Sequence, residues 1–186
     1  MPVDPSSLYL QIYPAEILRK KADEIDPTPE VAAVAKRMIE IMHDAPGIGL
    51  AASQVGLPWR LFVADVPPDA DRNPPRSDQA DPPTASAGPE VLINPVIEKT
   101  EGAPELMEEG CLSLPDILGD VPRPPVVTMS WTDTEGNRRR RRVGGLLARC
   151  WQHELDHLDG VLIIDRMTRP GRVRNRAKIR NLERGL

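Results

Sequence analysis

The sequence predicts an α+β fold whose sheet is mainly antiparallel. A run rich in β-branched residues at 126–131 is followed by a DTEG turn and by 138–143 as its return partner, which is the pattern of a hairpin. Further strand-like runs stand at 60–66 and 91–97. Only two stretches of clear helical periodicity accompany them, far apart in the chain. At 186 residues the chain is long enough for one well-filled core and short for two, so a single catalytic domain over 1–186 is expected.

The first helix is expected over 29–43. Thr28 is placed to cap it, Pro29 suits the first helical position, and Glu30 faces the positive end of the helix dipole. Val31, Val34, Ala35, Met38 and Met42 form its apolar stripe. Pro46 and Gly47 stop this helix and open GIGLAASQVG, a glycine-rich segment that lets backbone approach whatever lies opposite and reads as a site-forming turn or short strand. The segment at about 67–89 is rich in Pro, Asp and small polar residues and reads as a partly mobile surface excursion between two strands. A second helix is expected after Gly144 and Gly145, carrying LLARCWQHELDHL and ending near Gly160. The tail at about 169–186 is Arg-rich, is expected to break at Pro170 and Gly171, and reads as a last helix with Val173, Ile179 and Leu182 turned partly inward.

Composition narrows the function. The formal net charge is −4 and aromatic residues make up 3% of the chain, so neither a globally basic surface nor a set of base-stacking rings is available, and no DNA partner is expected. No basic segment followed by an apolar run opens the chain, and no stretch approaches the roughly 18 apolar residues of a membrane span. A cytoplasmic protein without a membrane partner is therefore expected. Two cysteines, Cys111 and Cys150, are too few for a disulfide framework, so each is weighed for packing, metal binding or reactivity.

The chemistry concentrates in the second helix. His153, Glu154, Leu155, Asp156 and His157 fit HExxH, which on a helix sets two imidazoles one turn apart on one face, where they can share a divalent metal. Glu154, directly after the first histidine, can serve water at the open coordination position as general base and later acid. So short a pattern also arises by chance in helices whose histidines merely pack. A catalytic site of this type takes a third protein ligand. Cys150 lies on the same helix but a further turn from the midpoint of the histidine pair, which favours a small buried residue lining a pocket over a ligand. His43 reads as a cap or surface residue. Cys111, in MEEGCLSLP, could bring a thiolate in from another direction, and by itself is equally readable as a buried structural cysteine.

Together, GIGLAASQ at 47–54, EGCLS at 109–113 and QHELDH at 152–157 resemble the three signature segments of peptide deformylases, in that family's order and spacing. The likeness continues through EILRKKA, VLINP, VPRP and the DG after the histidine helix, leaving aside the excursion and the tail. It implies a deformylase-like fold, with antiparallel sheets around a central helix bearing HExxH. It also implies a hydrolase that removes the N-formyl group from the formylmethionine of nascent polypeptides and releases formate. Cys111, His153 and His157 would then bind one metal, Fe²⁺ by family resemblance, although the donor set would accept Zn²⁺, Ni²⁺ or Co²⁺ as well. Glu154 would carry the proton, and Gln54 with the backbone N–H of Leu112 would stabilise the oxyanion. The methionine side chain would sit near Ile48, Met107, Leu146 and Cys150, with Gly49 meeting the substrate backbone. Arg123 would pair with Asp156 and brace the helix. Ser53 departs from the family's usual Pro and is expected to loosen the turn before Gln54, and the excursion is longer than in compact bacterial members.

Two rivals share these features. An HExxH endopeptidase would use the same helix, but would take its third ligand after it, where Asp159 and Asp165 are the only early candidates. A deformylase-like protein without activity that binds ribosomes would rest on the arginines at 138–142 and on the basic tail. A charge run is more often a solvated face, and recruitment to ribosomes is also compatible with an enzyme.

Overall fold

The computed structural model describes residues 2–185. Seven strands form two antiparallel sheets. Strands β1 (Gly49–Ala51), β2 (Leu61–Ala64), β3 (Glu90–Glu101), β6 (Val126–Thr132) and β7 (Arg138–Gly144) make a five-stranded sheet in the order β1-β2-β3-β6-β7. Strands β4 (Glu105–Cys111) and β5 (Leu114–Arg123) make a separate hairpin. The helices are α1 (Pro29–Asp44), α2 (Gly145–Leu158), the short α3 (Ile163–Arg166) and α4 (Arg169–Glu183).

Local chemistry accounts for most of these boundaries. The Thr28 hydroxyl accepts the Val31 N–H at 3.2 Å, capping α1, and Pro29 opens it. In the turn between β6 and β7, one Asp133 carboxylate oxygen accepts the N–H groups of Glu135 and Asn137. The run expected at 91–97 extends to Glu101, because β3 pairs first with β2 and then, along its later residues, with β6.

Side-chain alternation divides the core into two faces of the large sheet. Phe62, Ala64 and Leu92 point to α2, where Leu147, Ala148 and Trp151 meet Val127, Met129 and Trp131. Leu61, Val63 and Ile93 point the other way, onto Val34, Met38, Ile41 and Met42 of α1. A third cluster joins the hairpin to the C-terminal helices through Leu114, Ile117, Val121, Ile163 and Met167. The helix α2 therefore lies between the large sheet and the β4–β5 hairpin, with most of its side chains buried.

Two expectations for the tail are corrected. Pro170 and Gly171 do not break it: they lie in the first turn of α4, which Thr168 caps through its bond from the Gly171 N–H. Val173 is 66% exposed, because the inward stripe of α4 runs through Gly171, Asn175, Ile179 and Leu182, and Val173 falls off it. The excursion folds back on the large sheet: Ala85 and Ser86 are buried, and the Ser86 hydroxyl accepts the Val66 N–H at 3.1 Å.

Candidate metal centre

The site forms where α2 faces the turn that closes the β4–β5 hairpin. Cys111 ends β4, and Leu112 and Ser113 make the turn into β5. Cys111, His153 and His157 converge, with one ligand atom from each lying within 4.8 Å of the others. Cys111 Sγ is 3.2 Å from His157 Nε2, and the two imidazoles, one helical turn apart, have centroids 5.1 Å apart. Two ligands thus come from one helix and the third from a strand approaching it, an arrangement that HExxH alone cannot supply.

The GIGLAASQ segment closes the cleft from the side of the large sheet. A side chain at position 49 has no room, because a Cβ on Gly49 would run into Glu154 Oε1 and lie 2.8 Å from Cys150 Sγ. Glycine is needed here for close approach. Beyond β1 the chain makes a 3₁₀ turn, Ala52–Val55, in which the Ala51 N–H donates to Gln54 Oε1 at 2.8 Å. That bond occupies the carbonyl end of the Gln54 amide and leaves its Nε2 donor facing Ser113 Oγ at 3.2 Å and Cys111 Sγ at 3.6 Å. Ser53, at the position marked as a departure, is buried and donates its hydroxyl to the His157 carbonyl at 3.4 Å.

A cleft of about 370 Å³ opens onto these groups. Its walls include Ile48, Gly49, Gln54, Cys111, Leu112, Leu146, Cys150, His153 and Glu154. Cys150 is buried and donates to the Ile48 carbonyl at 3.3 Å. Met107, half-buried on β4, does not line the cleft. His43 lies outside the site, 2.9 Å from an Asp65 carboxylate oxygen.

Burial and charge give the titratable groups different characters. Burial pushes the Glu154 carboxyl up to about 7, and its Oε2 has no hydrogen-bond partner among the described residues. His157 is driven well below the ordinary 6.5 by burial and by neighbouring His153, which favours a neutral ring. Burial also opposes charge on His153, but its contacts with Cys111 and Glu109 outweigh that and hold it well above 6.5. Burial alone would raise Glu109. Bonds from His153 and Arg123 win instead and bring it down to about 2.

Glu109 is the residue whose role the sequence did not reveal. It accepts from Arg123 at 2.7 and 3.0 Å, from Arg149 at 2.7 Å, and from His153 Nδ1 at 3.1 Å. The last bond turns the other ring nitrogen towards Cys111 and His157, the usual way a carboxylate orients a metal-binding histidine. Arg123 also donates to Asp156 at 2.8 Å, the pairing expected from the sequence. A charged residue inside the apolar LLARCW run of α2 was the available signal for Arg149.

The donors fit a metal. One thiol and two imidazoles converge from two directions at a cleft, beside a buried carboxylate oxygen with no partner of its own. That donor set suits a borderline divalent ion such as Fe²⁺, Zn²⁺, Ni²⁺ or Co²⁺.

The family model described as polypeptide deformylase matches residues 8–173. The chain belongs to this family. A peptide deformylase of Opitutus terrae is 41% identical over 178 residues, covering 95% of this chain and 93% of the relative. One from Rhizobium meliloti is 40% identical over 157 residues, covering 84% and 82%. Among solved structures, the peptide deformylase of Ehrlichia chaffeensis superposes with a TM-score of 0.83 at 28% identity, covering 96% of each chain. That of Synechococcus elongatus, in complex with actinonin, gives 0.76 at 37% identity, covering 97% of this chain and 85% of that one. The family membership and the α+β architecture expected from the three sequence segments are both borne out.

Proposed function

We propose that the chain, a deformylase that removes the N-formyl group from nascent polypeptides, does so with Cys111, His153 and His157 as the ligands of one divalent metal. The observation that carries this reading is the convergence of those three donors on a cleft walled by Glu154. A divalent ion bound there supplies Lewis acidity and lowers the pKa of water. Glu154 takes the proton from the attacking water and delivers it to the amine that leaves. A carboxyl raised by burial to about 7 can move a proton in both directions near neutrality. Gln54 Nε2 and the Leu112 N–H donate to the oxygen that gains charge as the formyl carbon is attacked. The methionine side chain enters between Ile48, Leu146 and Cys150, and Gly49 meets the substrate backbone.

Fe²⁺ is the proposed ion, because the donor set accommodates it and the family resemblance favours it; Zn²⁺, Ni²⁺ or Co²⁺ can replace it. Among the described residues no helix is long and apolar enough to cross a membrane. The proposed setting is the cytoplasm, where formylated chains emerge from ribosomes. The basic, exposed face of α4 is suited to recruitment there. Unchanged ribosome sedimentation after deleting residues beyond Arg169 would remove that recruitment from the reading.

The test is formate release from a formyl-methionyl peptide by protein prepared anaerobically with Fe²⁺, with internal peptide bonds monitored in parallel. Formate without internal cleavage is expected. Internal cleavage without formate would replace the reading with an endopeptidase.

A further inference from the structure

The proposed ligands sit on two separate bodies. His153 and His157 belong to α2, and Cys111 belongs to the β4–β5 hairpin, which shares no strand pairing with the large sheet. The distance between the thiol and the imidazoles is therefore set by whatever fastens helix to hairpin. Arg123 does this from the hairpin side, reaching Asp156 on α2. Arg149 does it from the helix side. Its guanidinium donates from Nη1 to Glu109 Oε1 at 2.7 Å and to the Val121 carbonyl at 2.8 Å, and from Nη2 to the Glu105 carbonyl at 2.7 Å. It thus spans both hairpin strands from a side chain only 7% exposed, and it also lines the cleft. Its fixed fork allows this; an ammonium, as a point charge, cannot satisfy all three acceptors in that geometry.

Building on the ligand assignment above, we propose that Arg149 is a positioning residue: it locks the hairpin bearing Cys111 against the helix bearing the histidines and so governs how tightly the metal is retained. Two consequences follow. Arg149 presses on Glu109, the carboxylate that orients His153, so losing it loosens one imidazole as well as the thiol. Its replacement by lysine keeps the charge but not the span, so charge alone does not restore retention.

The test follows release of Co²⁺ from the cobalt-loaded protein to a chelator, using the visible absorption of the bound ion, with unfolding midpoints measured alongside. Arg149→Met is expected to release Co²⁺ about tenfold faster than the parent, in line with the usual cost of removing support from a metal ligand. Arg149→Lys is expected to fall between them, and it carries the test if Arg149→Met does not fold. Val34→Ala is the stability control, since it opens a cavity in the core between α1 and the face of the large sheet turned away from α2. It is expected to release at the parent rate even where its unfolding midpoint falls. Parent-like release from both Arg149 variants, or equal acceleration in Val34→Ala, would overturn the proposal. A parent protein lacking cobalt–thiolate absorption would instead overturn the ligand assignment on which it stands.

Discussion

Around Glu109 and along β7, this chain uses the same pairing of arginine with carboxylate in two different settings. In the first, Arg123, Arg149 and Glu109 are all under 10% exposed and are joined by bonds of 2.7–3.0 Å. In the second, four of the five consecutive arginines of 138–142, Arg139 to Arg142, meet Asp133, Glu98, Glu90 and Glu101 in turn, mostly from exposed side chains. On β7 water competes with the exposed pairs and salt screens them, so apart from the half-buried Arg141–Glu90 pair the ladder neutralises a surface without fixing its geometry. In the buried network water cannot replace a lost partner, so removing one leaves the others short of a bond. The comparison teaches that burial, rather than the number of ion pairs, decides which of them can hold a metal site in shape.

Glu109→Ala should do the most damage, because it removes the one carboxylate shared by Arg123, Arg149 and the His153 Nδ1, leaving Arg123 only Asp156 and Arg149 only two backbone carbonyls. Urea unfolding of the metal-free variant is expected to show a loss of ~3–5 kcal/mol. A loss within error of zero would erase the distinction between the two regions. Arg123→Met comes next, at about 1–3 kcal/mol, since Glu109 keeps Arg149 and Asp156 keeps Arg166, which donates to it at 2.7 Å.

Acid sharpens the comparison with a sign. The Glu109 carboxyl is lowered on folding from the ordinary 4.5 to about 2, so its contribution is fully present above 4.5 and is lost as pH falls through about 2. Glu154 is raised from 4.5 to about 7, so its contribution is present below 4.5 and is lost as pH rises through about 7. In metal-free protein, Glu109→Gln should flatten the pH dependence of stability in the acid window, and Glu154→Gln should flatten it between 4.5 and 7. Unaltered slopes in both variants would contradict this account of the cleft. The smallest effect is expected from Glu98→Gln on the ladder, whose unfolding midpoint should match the parent and should stay matched when salt is added.

The parts of this fold that were legible in the sequence are those where local chemistry and burial agree. Thr28, Pro29 and an apolar stripe announce α1, and DTEG between two strand-like runs announces the β6–β7 hairpin. The β4–β5 hairpin has no such signature. Along β4, Leu106, Glu108 and Gly110 alternate with Met107, Glu109 and Cys111, so neither face is apolar, and the side that turns inward carries a glutamate. Its burial makes sense only with Arg123 and Arg149, which lie 14 and 40 residues away. The histidines and Glu154 were legible from their spacing on one helix. Cys111 was not assignable by its own surroundings and became so only through the three-segment resemblance. Val173 was misjudged because residue type suggested burial while the helical stripe passes it by.

The most direct test is made on Glu154→Gln, by measuring metal per chain and formate release from a formyl-methionyl peptide on the same preparation. The account predicts one metal per chain, as in the parent, with formate release reduced ~10²-fold or more, since the proton carrier is gone and the ligands remain. Parent-like formate release at full metal occupancy would contradict it.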